Sequence, residues 1–176
     1  MSPVGPLGLL GWKLASQFLA GVAPPRNTVW ELLDSGMDTV GEDKPGLYGS
    51  RVAVWARLRH QTTGITVFFI NHHGPLPVNS GGVGGGKQTA QNILNAIRSH
   101  ADPEDMQILT GDFNADAHSA TLKELSEHMN HDYVGTSFGG VDNFLSNCAS
   151  SAEATNLGNG GSDHDALSIV FTPGSN

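Results

Sequence analysis

Carboxylate and amide side chains stand close together in residues 109–116, LTGDFNAD. The largely apolar residues 106–109 followed by Gly111 are typical of a buried strand that ends in a sharp turn. If the extended geometry continues past Gly111, Asp112 and Asn114 lie on the same side of the chain. This pair suits a divalent cation or an anionic oxygen, but Asp and Asn also favour turns and helix caps. The stretch alone leaves both interpretations open.

Three further groups of chemically active side chains lie at the ends of apolar segments: residues 71–73, Asp142, and residues 163–164. Strand ends on one edge of an α/β sheet can meet in space although they are distant in sequence. Together they could bind a divalent ion, activate water through a histidine and orient that histidine with a carboxylate. Structural roles are the alternative: His73 could end a strand, Asp142 could accept a hydrogen bond, and Asp163 could cap a turn while His164 is exposed.

Other candidate catalytic side chains give weaker signals. His72 should point to the opposite side of its strand from His73, so at most one of the two faces a site. The sequence has no Gly-x-Ser-x-Gly motif and Cys148 lies in a polar segment, which disfavours a serine or cysteine nucleophile. The remaining histidines are expected to be solvated, in turns or on helix exteriors: His60, His100, His118, His128 and His131.

The elements that would position these groups alternate between strands and helices, which predicts a layered α/β domain with a mixed sheet. In order, the pattern predicts helical turns over 28–36, a loop to residue 50, a hairpin of strands over 51–59 and 65–71, a helix over 87–99, a strand over 106–110, a helix over 119–129, a strand over 141–147, a polar excursion to Gly161, and a closing strand at the end of 162–171.

The faces of the hairpin strands can be assigned from their side chains. Alternation over 51–59 predicts a buried face of Val52, Val54, Ala56 and Leu58, with Trp55 on the other side. Residues 65–71 are almost continuously apolar, so both faces of that strand should be buried.

Glycine is concentrated in residues 78–86, VNSGGVGGG. The spacing of a phosphate-binding P-loop is absent. We therefore expect a flexible surface loop, with contact to a substrate as the alternative.

Composition limits the class of protein. A chain of 176 residues with 38% hydrophobic residues is expected to form one globular domain. Nine Lys plus Arg and a net charge of −8 argue against an extended nucleic-acid-binding face. Residues 1–27 are expected to be a lead-in segment rather than a membrane span. We expect a monomer, and a soluble intracellular protein is favoured over a secreted one.

In order along the chain, four motifs match a known pattern: N-x-H-G at 71–74, GDFNAD at 111–116, VDNFL at 141–145 and SDHDAL at 162–167. Each is joined to an apolar strand, and the set resembles the endonuclease/exonuclease/phosphatase superfamily, the DNase I-like phosphohydrolases. The resemblance covers about residues 48–172. It implies a layered α/β/β/α sandwich with mixed sheets, as a single domain over 28–176.

The resemblance also implies roles for individual residues. His164 would be the general base that activates water, and Asp142 would orient it. Asp163 would bind Mg²⁺ or Mn²⁺. The remaining candidates would contact or position phosphate, the leaving group or a second metal: His73, Asp112 and Asn114, with Arg51 and Asn71 as further phosphate contacts.

One part of the family pattern is not visible. The family carries a metal-associated asparagine and a metal-binding glutamate on two early strands, whereas Asn27 lies beside prolines and Glu31 and Glu42 lack a preceding apolar strand. The N-terminal part of the sandwich is thus expected to be incomplete. The resemblance implies a metal-dependent, nuclease-like phosphodiesterase acting on nucleic acid, a phospholipid head group or a small phosphodiester. The alternative is a truncated, catalytically impaired homologue that acts as a binding module.

Overall fold

The computed structural model of the chain describes residues 29–173, so the expected lead-in over 1–27 lies outside the described residues. The strands are β1 (Trp30–Glu42), β2 (Ser50–His60), β3 (Thr66–His73), β4 (Met106–Asp112), β5 (Asn130–Val134), β6 (Asp142–Ser146), β7 (Ala149–Asn156) and β8 (Leu167–Pro173). The helices are α1 (Gly86–His100) and α2 (Ala120–Ser126), and a short 3₁₀ turn covers Ser137–Gly139.

Six strands form a mixed sheet in the order β1-β2-β3-β4-β6-β5, and β7 pairs with β8 in a separate antiparallel hairpin. Strands β3 and β4 are parallel, and α1 lies in the crossover that joins them, as a parallel pair requires. The predicted hairpin of β2 and β3 is confirmed by their antiparallel register.

Hydrophobic clusters cover both faces of the six-stranded sheet. On one face the sheet packs against both helices, with a core that includes Phe68, Ile93, Leu109, Leu122 and Leu145. On the other face Val67, Met106 and Ile108 pack against Phe171 of β8. The described residues therefore form a helix layer, a six-stranded sheet and a two-stranded sheet, which confirms the expected layered α/β fold with a mixed sheet.

Helix α1 is the element that the sequence predicts best. Its apolar positions Ala90, Ile93, Leu94 and Ile97 are all at most 5% exposed, because their spacing places them on one stripe facing the sheet. Arg98 and His100 lie in the last turn, where cations interact favourably with the helix dipole. Its position over the sheet fixes the connection from β3 to β4.

Strand β1 replaces the helical turns that the sequence predicts over 28–36 and, as far as Glu42, the loop that it predicts from there to residue 50. The prediction is wrong because pairing with β2, from Trp30 opposite His60 to Glu42 opposite Ser50, outweighs the helix propensity of the Glu-Leu-Leu segment. Gly36 allows the close approach of the two strands, since a Cβ atom there would lie 2.6 Å from the Trp55 ring.

The buried face of β2 is also different from the predicted one. Trp55 is 5% exposed and lies on the helix side, where its ring stacks on Phe68 with centroids 5.6 Å apart. Val52, predicted to be buried, is 36% exposed, whereas Ala56 and Leu58 are buried as expected. Aromatic packing and the hydrogen bond from Trp55 Nε1 to Asp38 (2.8 Å) decide the orientation.

Besides β1, two further strands and one helix end differ from what the sequence predicts. Residues 149–156, expected to be a polar excursion, form β7, and their partner β8 supplies the apolar side chains of that hairpin. Strand β5 was not predicted. Helix α2 ends at Ser126 rather than 129, although the amides of His128 and Met129 still bond to the Leu125 carbonyl.

The glycine-rich residues 78–86 form a loop as expected, and this loop is packed against β1. A Cβ atom on Gly82 would lie 1.8 Å from the carbonyl oxygen of Glu42, so only glycine fits there. The amide of Val83 donates to the same carbonyl (2.9 Å), and Thr89 Oγ1 donates to the carbonyl of Gly81 (3.0 Å).

Candidate active site

Three adjacent strands place polar residues side by side at one edge of the six-stranded sheet. In the register of β3, β4 and β6, His73 is opposite Asp112, and Asp112 is opposite Asp142. Residues opposite one another in a sheet share a face, so the three side chains are neighbours. His164, from the loop that precedes β8, joins them from the second sheet.

The four side chains form what we call the edge cluster: His73, Asp112, Asp142 and His164. Nδ1 of His164 donates to Oδ2 of Asp142 at 2.8 Å. Oδ2 of Asp112 lies 3.6 Å from Nε2 of His164 and 3.4 Å from Nε2 of His73. The Asp112 and Asp142 side chains are 14% and 15% exposed and His73 is 50% exposed, so the cluster lies in a partly covered site open on the His73 side.

The neighbouring carboxylates change the pKa of His164. Burial lowers the pKa of His164, but the hydrogen bond to Asp142 and the charges of Asp142, Asp112 and Asp163 outweigh it and raise the pKa above its ordinary 6.5. Burial raises the pKa of the Asp142 carboxyl, while its bond to His164 opposes this shift. Because Asp142 accepts from Nδ1, it selects the tautomer of neutral His164 in which Nε2 is free to accept a proton.

The same cluster contains ligands for a metal ion. One ligand atom each of Asp112, Asp142 and His164 lie within 4.8 Å of one another. Carboxylate oxygens are the donors that hard divalent cations prefer, and Mg²⁺ needs only one or two of them beside water and phosphate oxygens.

A second group, Glu124, Glu127 and His128, has comparable spacing at the end of α2. The Glu124 carboxylate there already accepts from Gln91 (3.1 Å) and pairs with Lys87 (3.2 Å). These contacts join the two helices, so we assign that group a structural role.

Asp112 and Asn114 combine the two interpretations that the sequence leaves open. Oδ1 of Asp112 accepts from the backbone amide of Asn114 (2.8 Å), which is an Asx turn, while Oδ2 faces the histidines. Asn114 has φ 45° and is 8% exposed, and its side-chain amide donates to the carbonyl of Gly74 (2.9 Å). Asn114 thus holds the loop after β3 against the loop after β4.

The other predicted site residues lie outside the edge cluster. Asn71 is on the same face as His73 and donates to Thr110 Oγ1 (3.0 Å). Arg51 binds Asp43 through Nε (2.8 Å) and Nη2 (3.0 Å) and holds the pKa of that carboxyl at about 2. Asp163 is exposed, and its carboxylate lies 3.4 Å from Ser162 Oγ. Their phosphate and metal roles stay predictions.

Several histidines outside the edge cluster are buried or contact other side chains. His72 is 1% exposed on the helix side of β3, which confirms that the two neighbouring histidines point in opposite directions. His100 and His131 are not simply solvated: the His100 ring stacks on Trp55 at 4.2 Å, and His131 Nε2 lies 2.7 Å from Asn143 Oδ1.

Sequence reasoning missed the loop 135–140, GTSFGG, which borders the site. The amide of Gly135 donates to the Asp142 carbonyl (2.7 Å), and Ser137 Oγ accepts from the Asp165 amide (3.1 Å). The Phe138 ring centroid lies 4.7 Å from that of His164. Its glycines are a signal of a turn, but nothing in the local sequence indicates proximity to His164.

With this geometry established, comparison with known proteins decides the family. The model of the endonuclease/exonuclease/phosphatase family matches residues 8–166. The chain belongs to this family. Family membership confirms the resemblance that the four motifs indicate.

Solved structures of the endonuclease/exonuclease/phosphatase fold agree. A protein of this family from Bacteroides vulgatus is similar with a TM-score of 0.62 and 22% identity over 81% of this chain and 65% of that one. The human Nocturnin catalytic domain with bound sulfate has a TM-score of 0.59 and 17% identity, over 83% of this chain and 61% of that one. TDP2 of D. rerio, in complex with a single-strand DNA product, has a TM-score of 0.57 and 15% identity over 82% and 69%.

These similarities show the fold, and the chain spans about two thirds of the length of such relatives. The comparison with curated proteins gives no match. Within residues 29–173, the structure has no helix long and apolar enough to cross a membrane.

Proposed function

We propose that this chain is a divalent-metal-dependent hydrolase of phosphoric esters, and specifically a nuclease-like phosphodiesterase. The observation that carries the proposal is the position of His164 between Asp142 and Asp112. A histidine oriented by one carboxylate, with its second nitrogen beside another, is suited to take a proton from water next to a metal-bound phosphate.

Each member of the edge cluster has a separate role in this proposal. Neutral His164 accepts a proton at Nε2, and Asp142 stabilises the resulting imidazolium through Nδ1. His73, half exposed beside Asp112, binds a phosphate oxygen and stabilises the charge that develops on it. Asn114 and Asn71 keep the loop and strand that carry these groups in place.

Asp112 is the best-placed ligand for Mg²⁺ or Mn²⁺ among the described residues. Its Oδ2 is free of backbone bonds and faces the open side of the cluster. The metal would neutralise charge on the phosphoryl oxygens. Asp163 is the second ligand that we propose. Its carboxylate is not among the ligand atoms that converge in the edge cluster.

Charge favours a small phosphodiester over a long nucleic acid. The net charge is −8, and Arg51, Arg57, Arg59 and Lys87 are already paired with acidic side chains. Within residues 29–173 only Lys44, Arg98 and Lys123 lie outside such ion pairs, which is few for following a phosphate backbone.

Turnover of bis(p-nitrophenyl) phosphate by the full chain tests the proposed activity. We expect hydrolysis that requires Mg²⁺ or Mn²⁺, stops with EDTA, and falls by about 10²–10⁴-fold in His164→Gln. Glu104→Gln, an exposed residue before the opposite end of β4, is the matched control and should keep full activity. Absence of metal-dependent turnover, or full activity in His164→Gln, would contradict the proposal.

Calorimetry separates the enzyme from a catalytically impaired binding module. We expect saturable Mn²⁺ binding that is lost in Asp112→Asn and weakened in Asp163→Asn, with Glu104→Gln unchanged. Metal binding without turnover on diesters or monoesters would favour the binding module. Equal binding in Asp112→Asn and the wild type would remove Asp112 from the metal site.

A further inference from the structure

An exposed aromatic side chain stands beside the proposed general base. Phe138 is 62% exposed, and its ring centroid lies 4.7 Å from that of His164 with the two planes inclined by 36°. Phe138 therefore covers one side of the imidazole with part of its ring and presents the rest to solvent. Phe113, next to Asp112, and Leu145 of β6 are instead fully buried.

The backbone at Phe138 is in an unfavourable conformation for this residue type. Its φ of 45° lies in the left-handed region, which is sterically unfavourable for a residue with a Cβ atom. The two residues that follow, Gly139 and Gly140, also have positive φ but are glycines and adopt it freely. An exposed ring gains little from burial, so folding stability does not explain a phenylalanine here.

Hydrogen bonds of the loop 135–140 fix Phe138 relative to His164 and Asp142. Gly135 is bonded to the Asp142 carbonyl (2.7 Å), and the Gly140 amide donates to Ser137 (2.9 Å). Ser137 in turn accepts from the amide of Asp165, next to His164 (3.1 Å). These bonds fix the position of the Phe138 ring beside the His164 imidazole.

We propose that Phe138 determines specificity by stacking on a flat, unsaturated ring carried by the substrate next to the scissile phosphate. The inference rests on the proposed function and deepens it: the substrate class is aryl or nucleoside phosphoesters rather than alkyl esters such as those of glycerol. Ring stacking is well suited to a chain of net charge −8, because it adds affinity for an anionic substrate without a basic groove.

Two non-hydrolysable ligands of similar size test the stacking directly. Benzylphosphonate carries a flat ring and cyclohexylmethylphosphonate a puckered one, and their dissociation constants are measured by calorimetry with Mn²⁺ present. We expect the wild type to prefer benzylphosphonate by roughly three- to tenfold. Phe138→Leu should reduce the preference to within about twofold, whereas Phe138→Trp should keep or increase it.

The dissociation constants of thymidine 5′-monophosphate and glycerol 3-phosphate are compared in the same way. A preference for thymidine 5′-monophosphate indicates a nucleobase as the source of the ring, and a preference for benzylphosphonate alone indicates a simple aryl group. Either preference supports the inference. Leu32→Ala is the control for loss of an exposed apolar side chain. Leu32 is 37% exposed and pairs with Leu58 at the far end of the sheet, and its loss should leave both ratios unchanged.

The outcomes separate this inference from the proposed function. Equal binding of both phosphonates by the wild type, or an unchanged preference in Phe138→Leu, overturns the role of Phe138 while leaving phosphate binding intact. Failure of both phosphonates to bind, together with no metal-dependent turnover, overturns the proposed function and the inference with it. A structural role is tested by Phe138→Gly, which should melt at the same or a higher temperature; a clear fall would overturn the inference.

Discussion

His164 and Asp142 are joined by a 2.8 Å hydrogen bond although they belong to different layers of the fold. Asp142 begins β6 of the six-stranded sheet, whereas His164 lies in the loop that leads into β8 of the hairpin. The packing of one sheet on the other therefore sets the geometry of the proposed general base.

The pH dependence of activity should change when Asp142 is replaced. Asp142 raises the pKa of His164 through its hydrogen bond and its charge, against the effect of burial. Only the neutral imidazole acts as a base, so activity is lost as the pH falls through that pKa. In Asp142→Asn the pKa of His164 falls, and the acidic limb of the kcat/KM profile should move to lower pH while the plateau decreases. Glu104→Gln should leave the limb in place; an unmoved limb in Asp142→Asn would contradict the assigned pairing.

Weakening the contact between the sheets should impair catalysis more than an equal loss of stability elsewhere. Phe171 is 6% exposed and packs on Val67, Met106 and Ile108. Phe171→Ala should lower the free energy of unfolding by about 3 kcal/mol and also reduce kcat/KM, because β8 positions His164. Ile97→Ala, 3% exposed in the helix-side core, is the matched control. Equal kcat/KM in the two folded variants would show that the hairpin does not set the position of His164.

The elements that the sequence predicts well are those whose apolar pattern is determined locally. α1 shows helical spacing, β3 and β4 are short apolar runs that end at polar motifs, and β6 begins at one. The positions of these elements and the approach of four side chains could therefore be predicted from the sequence: His73, Asp112, Asp142 and His164. The parallel register of β3 and β4 then explains why motifs distant in sequence meet.

The elements that were mispredicted depend on partners that the local sequence does not reveal. β1 is a strand because β2 pairs with it, and β7 because β8 does. The same reason applies to single residues. Trp55 faces inward, where Phe68 and His100 are its packing partners. Phe138 lies beside His164 because its loop is bonded to Asp142 and Asp165.

Arg51 should act on stability rather than on phosphate binding. It forms a two-bond ion pair with Asp43, whose side chain is 1% exposed and also accepts from the amides of Tyr48 (3.0 Å) and Leu76 (2.7 Å). Lysine cannot reproduce both bonds, so Arg51→Lys should lower the free energy of unfolding by about 1–3 kcal/mol in urea titrations.

Arg59 provides the comparison for Arg51. Its pair with Glu31 is roughly half exposed on both sides, and Arg59→Lys should lower the free energy of unfolding by less than about 1 kcal/mol. Unchanged stability in Arg51→Lys together with a raised KM for a phosphodiester would instead support the phosphate contact that the family resemblance implies for Arg51.

His72 should make the protein less stable at mildly acidic pH. Burial lowers its pKa from 6.5 to about 4, with smaller contributions from the charges of His73 and Arg51, against the effect of its bond to the Val52 carbonyl (3.1 Å). Its Nε2 is buried with no hydrogen-bond partner, so the ring has no acceptor for a second proton. Between these two pKa values the unfolded chain binds the proton and the folded chain does not, so stability falls as the pH is lowered through this window.

The loss attributable to His72 should be about 1.4 kcal/mol per pH unit and about 3 kcal/mol over the whole window. Urea titrations at intervals from pH 7 to pH 4.5 measure this slope. His72→Leu, of similar volume and unable to titrate, should flatten it by that amount, even if the variant is less stable at pH 7 because the bond to Val52 is lost. His118→Gln removes an exposed histidine and is the control. If the free energy of unfolding has the same pH slope in His72→Leu and the wild type, His72 is protonated in the folded protein. Its side chain would then reach a proton acceptor through local opening of β2 and β3.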